Sequence, residues 1–257
     1  MWSRVMKVVP VSLFERFHGL FDSIPAPLVE RFPMYAKAVQ DHVAERGVVL
    51  PDTHMLRTAL FIDCNQIKTN RPGGGPAAAG AEAPRKDSLI QRAFYNGWGR
   101  NHGLKAEAAG APDGLIVWLY GLVSLRRADP WVLQAGGFNA KLAAAQVHKP
   151  PSEQFISYGD GAYPHMSHVT SARGPVAVDK AMSSVRELIE HLFGESDSYF
   201  PYMADKKNHH LMSSQALKEL YFSVQLLRNC YTCLYHDKTS TRMKCPPPSL
   251  EEYLSWV

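Results

Sequence analysis

The 257-residue chain is poor in cysteine: Cys64, Cys230, Cys233 and Cys245 are all it has. So few thiols in so long a chain exclude a disulfide-stapled scaffold and point to a reducing compartment. Long hydrophobic runs are missing too. Nothing approaches the roughly 20 apolar residues of a membrane-spanning helix. The start, Met1 to Lys7, opens no convincing secretory leader, because Glu15, Arg16 and His18 soon interrupt the apolar residues. An intracellular, soluble protein is therefore expected. Neither sign of charge dominates. Lys and Arg number 28 against 24 Asp and Glu, and a net charge of +4 does not by itself declare a nucleic-acid binder. The glycine-rich stretch from Arg71 to Pro76 is not followed by Gly-Lys-Ser/Thr, which excludes a P-loop and leaves a surface loop. No clear repeat is visible, and no Ser-His-Asp or Cys-His arrangement is supported by spacing.

The elements that are present read in order. Leu13, Phe14, Phe17, Leu20 and Phe21 have helical spacing, and a second helix is expected from about Ala26 to Arg46 with a kink or break at Pro33. Residues 1–50 thus form a helical N-terminal segment, taken as a packing appendage to a main domain over 51–257. Leu60-Phe61-Ile62-Asp63 reads as a buried strand ending in an acid. Strands over 102–109 and 115–120 flank Asp113-Gly114, a hairpin turn signal. A loop is expected over 121–127, and a helix over 129–145 weakened by Gly136-Gly137. Phe155 to Tyr158 is a further buried strand, closed by Gly159-Asp160-Gly161-Ala162-Tyr163-Pro164. From about Asp179 a helix carries Val185, Leu188, Ile189, Leu192 and Phe193 on one stripe, with Gly194 as its expected stop. A longer helix runs over 213–235, and a short one follows Ser249, its expected cap. This order gives an α/β fold, a mixed sheet flanked by helices.

Asp63 and Asp160 each follow a buried strand. If the strands are neighbours, the two carboxylates stand side by side and repel unless a cation joins them. Mg2+ or Mn2+ suits such oxygen donors, and two ions about 4 Å apart serve in-line phosphoryl transfer. A third acid would come from the following helix. Glu187 lies almost opposite the apolar stripe, Glu190 just beyond its edge and Glu195 at the other edge, so Glu190 is preferred while periodicity leaves Glu195 open. The bland alternative is that an acid after a strand only caps a turn or a helix.

Several stretches together resemble the transposase-derived DDE endonucleases of the Harbinger type. They are Phe61-Ile62-Asp63-Cys64, Arg71-Pro72, Gln91 to Lys105, Tyr120-Gly121, Ser124-Leu125-Arg126, Tyr158 to Pro164, Val185-Arg186, Ile189-Glu190 and Phe193-Gly194. The resemblance covers about residues 55–255. It implies an RNase H-like fold, a metal-dependent nuclease and strand-transfer activity on DNA with two Mg2+ or Mn2+ ions, and a catalytic, metal-holding triad of Asp63, Asp160 and Glu190. It further implies a nuclear location and a separate DNA-binding partner protein. Asp129 matches an acid that the family often places after a histidine, where this chain has Ala128. Asp63-Cys64-Asn65 replaces the family's common Asp-Gly-Thr. A catalytically inactive DNA-binding or protein-interaction module descended from such an enzyme is the alternative.

Basic and aromatic residues interleave between Lys68 and Lys105. Arg92, Arg100 and Lys105, with Phe94, Tyr95 and Trp98 among them, suit a phosphate backbone and stacked bases. Cys230, Cys233 and His236 have the residue types of a zinc site, but their spacing within an apolar helix favours buried thiols. Lys206-Lys207 and His209-His210 are expected at the surface.

Overall fold

The computed structural model describes residues 11–51, 54–71, 91–172, 175–204, 209 and 214–256. The expected glycine- and alanine-rich loop, Lys206-Lys207 and His210 lie outside them. The sheet is built from β1 (Thr58–Lys68), β2 (Tyr95–Asn96), β3 (Asn101–Gly110), β4 (Ile116–Ser124), β5 (Ile156–Gly159) and β6 (Val169–Ser171). β3 lies between β4 and β1 and pairs with both antiparallel. β1 then pairs parallel with β5, and β5 with β6. The short β2 pairs with the first residues of β3. The fold is therefore α/β with a mixed sheet flanked by helices. Among the described residues no helix is long and apolar enough to cross a membrane.

Residues 11–17 are helical, as their spacing suggests, and the helices that follow are α1 (Gly19–Asp22), α2 (Ala26–Ala44), α3 (Asp129–Gly136), α4 (Phe138–Ala145), α5 (Val176–Tyr199), α6 (Pro201–Ala204), α7 (Ser214–Tyr235), α8 (Lys238–Arg242) and α9 (Leu250–Leu254). Pro33 does not break α2, which runs unbroken through it. An interior proline costs about 3 kcal/mol. Leu28, Val29, Phe32, Tyr35, Val39 and Val43 are buried on this helix, at roughly 1.5–3 kcal/mol for each large side chain. Burial outweighs the lost hydrogen bond. The described part of residues 11–50 packs into the same apolar core as the sheet and α5. The hairpin turn belongs to the same join. Asp113 is buried, accepts hydrogen bonds from the Tyr35 hydroxyl at 2.5 Å and the Leu115 N–H at 3.2 Å, and pairs with Arg31.

Two glycines act differently from expectation. Gly194 does not stop α5, which continues to Tyr199; a Cβ there would meet nothing. Gly137, at φ +70°, does divide the stretch over 129–145 into α3 and α4. The loop expected over 121–127 is strand as far as Ser124.

β3 reads Ala106, Ala108, Ala109, Gly110 where it crosses the sheet's centre. Its small residues admit α5 closely. A Cβ on Gly110 would stand 2.9 Å from Leu192 and 3.1 Å from Ile189. At the far end of the core, fully buried Arg228 of α7 donates to the Gly114 carbonyl and pairs with Glu195 at 2.9 Å and Asp237 at 2.6 Å. Glu195 is thereby occupied away from Asp63. Arg228→Ala would strand two acids in the interior and is expected to cost about 3–5 kcal/mol. Urea unfolding checks this; a loss below about 1 kcal/mol would contradict the assigned role.

Candidate active site

β1 carries polar residues on both faces in its second half. Asp63 is not at the strand's end, as the apolar run suggests, but midway along it, where burial gives way to partial exposure. β1 and β5 are parallel neighbours with Phe61 opposite Tyr158. Two residues further on along each chain, Asp63 and Asp160 stand level, Asp160 just beyond the end of β5. The condition set by the sequence, that the two strands be neighbours, is met.

The face of β1 bearing Phe61, Asp63 and Asn65 looks toward α5 and α7. Asn65 donates to the Tyr221 hydroxyl of α7 at 3.1 Å. Arg186 of α5 gives Nη1 to Asp63 Oδ2 at 2.6 Å and Nη2 to Glu190 Oε1 at 3.0 Å. Asp63 Oδ1 accepts the Cys64 N–H at 2.8 Å, and Asp160 Oδ1 accepts the Ala162 N–H at 2.8 Å. Burial pushes the Asp63 carboxyl up to about 6. Arg186 and the Cys64 N–H oppose that rise, while the charges of Asp160 and Glu190 add to it. The three acids thus come from β1, the end of β5 and α5, near enough for their charges to be felt at Asp63. Glu187 is exposed on α5.

Carboxylates are the donors that Mg2+ or Mn2+ prefers. The placement, however, does not fit an ion. Among the described residues no three His, Cys, Asp or Glu side chains are gathered closely enough to hold one. The cation that Asp63 and Glu190 do have is Arg186.

The other face of β1 carries a second polar group that sequence reasoning missed. Cys64 lies opposite Glu107 of β3. The Tyr163 hydroxyl, from the turn after Asp160, donates to Cys64 Sγ at 3.6 Å. Lys105, also on β3, is buried and ion-paired with Asp129 of α3. Among the described residues, neither carboxyl oxygen of fully buried Glu107 has a hydrogen-bond partner. Desolvation pushes Glu107 up to about 9, the nearby Tyr163 hydroxyl opposing and Asp129 and Asp63 adding. The signal was legible: Lys105 and Glu107 are charged residues at i and i+2 in a strand of small residues, and so share one face. Arg186 could likewise have been paired with Glu190 from its i, i+4 spacing.

The basic stretch divides. Lys105, expected to contact DNA, is 5 % exposed and held by Asp129, so its charge is not presented to solvent. Arg92 and Arg100 are exposed. Arg71, Gln91, Arg92, Tyr95 and His102 line an open recess of about 360 Å³, in which Arg71 donates to Gln91 at 2.8 Å and the Tyr95 ring lies 5.0 Å from His102. Trp98 stands beyond it, 95 % exposed, in a turn where Asn96 accepts the N–H groups of Trp98 and Gly99. Of the expected surface pair, His209 is instead buried and bonds to the Lys68 carbonyl at 2.9 Å. Cys233 and Cys245 are buried thiols pushed up to about 12 by desolvation.

Comparison with models of known families, with curated proteins and with solved structures finds no match to this chain.

Glu107 makes stability depend on pH in a definite direction. Folded, it holds a proton to about 9; unfolded, it loses that proton near the ordinary carboxyl value. Its contribution is fully present below the unfolded value and is lost as pH rises through the folded one. Glu107→Gln is expected to raise stability at pH 8 by about 1–3 kcal/mol and to flatten the decline between pH 5 and 8.5. Thermal unfolding across that range is the check, and an unchanged or steeper decline would contradict it.

Proposed function

We propose that this chain acts on DNA as a transposase-derived protein of the Harbinger DDE type, with Asp63, Asp160 and Glu190 as its reaction centre. The activity is phosphodiester hydrolysis and strand transfer, for which such a centre requires Mg2+ or Mn2+. The observation that supports this reading is that the three acids the resemblance names stand on adjoining elements, near enough for Asp160 and Glu190 to act on Asp63 as charges, though not gathered closely enough to hold an ion as they stand. They arrive from the central strand, the end of its parallel neighbour and the covering helix. A mixed sheet with its acids at this position agrees with the RNase H-like architecture that the resemblance implies.

The DNA would lie along the rim formed by Arg92, Arg100 and the recess beside them. Guanidinium groups suit phosphates, and an indole as exposed as Trp98 suits an unstacked base. Such a protein would work in the nucleus, with a separate DNA-binding partner to choose the site.

A second reading has one observation in its favour. Arg186 pairs with both Asp63 and Glu190, as it would in a descendant that binds DNA and no longer cuts it.

Nicking of supercoiled plasmid with Mg2+ or Mn2+ separates the two. The first reading expects divalent-dependent nicking that falls at least about 100-fold in Asp160→Asn. Cleavage that is unchanged in Asp160→Asn would sink it. DNA binding indifferent to Asp63→Asn, with no nicking at all, would establish the second. In either case Trp98→Ala is expected to weaken binding of a single-stranded oligonucleotide by about 1–3 kcal/mol. Equal affinity in a fluorescence-polarisation titration would remove Trp98 from the interface.

A further inference from the structure

We propose that the recess beside β2 is an end pocket: it takes the last nucleotide of a single DNA strand by its terminal phosphate and its base. This rests on the reading of the rim as the side that meets DNA, and adds which part of the strand is recognised there.

The chain builds the recess from separate stretches. Tyr95 of β2 stands directly opposite His102 of β3, so both rings lie on one face of that short ribbon. The stretch after β1 is laid beside them, the Thr69 N–H donating to the His102 carbonyl at 2.9 Å. Arg71 then reaches Gln91 at 2.8 Å. The Ser124 hydroxyl, at the end of β4, donates to the Ala93 carbonyl and holds the stretch carrying Arg92 and Tyr95 to the sheet. Arg71, Gln91, Arg92, Tyr95 and His102 thus surround a space of about 360 Å³. That is at the small end of ligand pockets, which run to roughly 300–1,000 Å³.

The lining asks for an anion. It includes two guanidinium groups and no carboxylate. Arg71 is bonded to the neutral Gln91 amide, which leaves its charge unbalanced. Burial, and then the Arg71 charge, lower the His102 imidazole from its ordinary value, so the two arginines supply the positive charge near neutral pH. A phosphate monoester carries roughly −1.5 to −2 at pH 7. A phosphodiester within a strand carries a single charge, so a strand's phosphorylated end suits two guanidinium forks better than its middle.

The rings add the base. Tyr95 is exposed, and its contact with His102 is tilted by 49° rather than parallel, so the ring is open to a stacking partner. In a duplex each base is covered by its neighbours, and only an unpaired strand offers a base to a side chain. The recess is open, so the strand can leave it. Trp98, 95 % exposed beyond it, is placed to stack the next base. A free nucleotide would have no use for that indole.

The probe is an oligodeoxythymidylate with fluorescein at an internal position, carrying a 5′-phosphate, a 3′-phosphate or hydroxyls at both ends. It is titrated by fluorescence polarisation against the full chain with EDTA present. A phosphorylated form is expected to bind at least about tenfold more tightly than the hydroxyl form, and the better of the two identifies the end recognised. Arg71 and Arg92 are exposed, so their substitution leaves the core untouched. Arg71→Gln and Arg92→Gln are each expected to bring that ratio below about threefold. Arg100→Gln, outside the recess, is expected to weaken all three forms alike and to keep the ratio. Thymidine 5′-monophosphate is expected to compete only at a concentration at least about tenfold above that of the phosphorylated oligonucleotide. Competition at equal concentration would make the recess a free-nucleotide site and overturn the assignment to a strand end. A ratio that persists in both arginine variants would overturn the pocket. Equal binding of all three forms would overturn it too and leave the rim standing, whereas binding of none would remove the DNA contact as well. No strand is cut in this experiment, so nicking judges the enzyme separately.

Discussion

A half-buried guanidinium between two carboxylates is the constraint on which this site depends. Asp63 sits in the middle of the central strand, on the face covered by α5, and cannot shed its charge into water. It needs a positive partner, and the partner must come from the covering helix. The apolar stripe of α5 and the small residues of β3 bring that helix close, with Leu188, Ile189 and Leu192 against Gly110. Once the stripe is seated, Arg186 faces Asp63, and Glu190, one turn further on, shares the same guanidinium. Packing fixes the electrostatics rather than the reverse.

The same strand carries polar side chains on its opposite face, with a different outcome. Tyr163 and Glu107 are buried there and Cys64 partly so, and desolvation favours the protonated thiol, phenol and carboxyl. Lys105 and Asp129 answer each other at its edge. A strand that buries polar groups on both faces costs stability, and the remainder of the core offsets it. Trp118, Phe138 and Leu133 are buried, with the Trp118 and Phe138 rings in contact, and the buried Arg228 ties α7 to the hairpin through the Gly114 carbonyl.

Much of this was legible in the chain, and the parts that were not have physical reasons. The strands, the hairpin at Asp113-Gly114 and the stripe of α5 follow from periodicity and turn chemistry, which are local. Pro33 and Gly194 misled because propensity is also local, whereas tertiary burial decides whether a helix continues. The end of β1 was placed short because polar residues continue it beyond its apolar run, and that of β4 because Gly121 reads as a break although Leu122-Val123-Ser124 carry the strand on. Asp63 and Asp160 could be named from the strands that carry them. Their neighbour relation needed the sheet order. The counter-charge at Arg186 needed the helix docked. Lys105 passed as a DNA contact because sequence shows its charge and hides Asp129 across the fold.

The state of the site is set by where positive charge sits among the three acids. Crystals soaked in Mn2+ and measured for anomalous scattering address it most directly. The reading of the three acids as a metal-dependent reaction centre expects a Mn2+ ion within roughly 2.1 Å of an Asp63 oxygen, which requires the Arg186 guanidinium to leave that carboxylate. Arg186 still on Asp63 and Glu190, with no Mn2+ at Asp63, would contradict it.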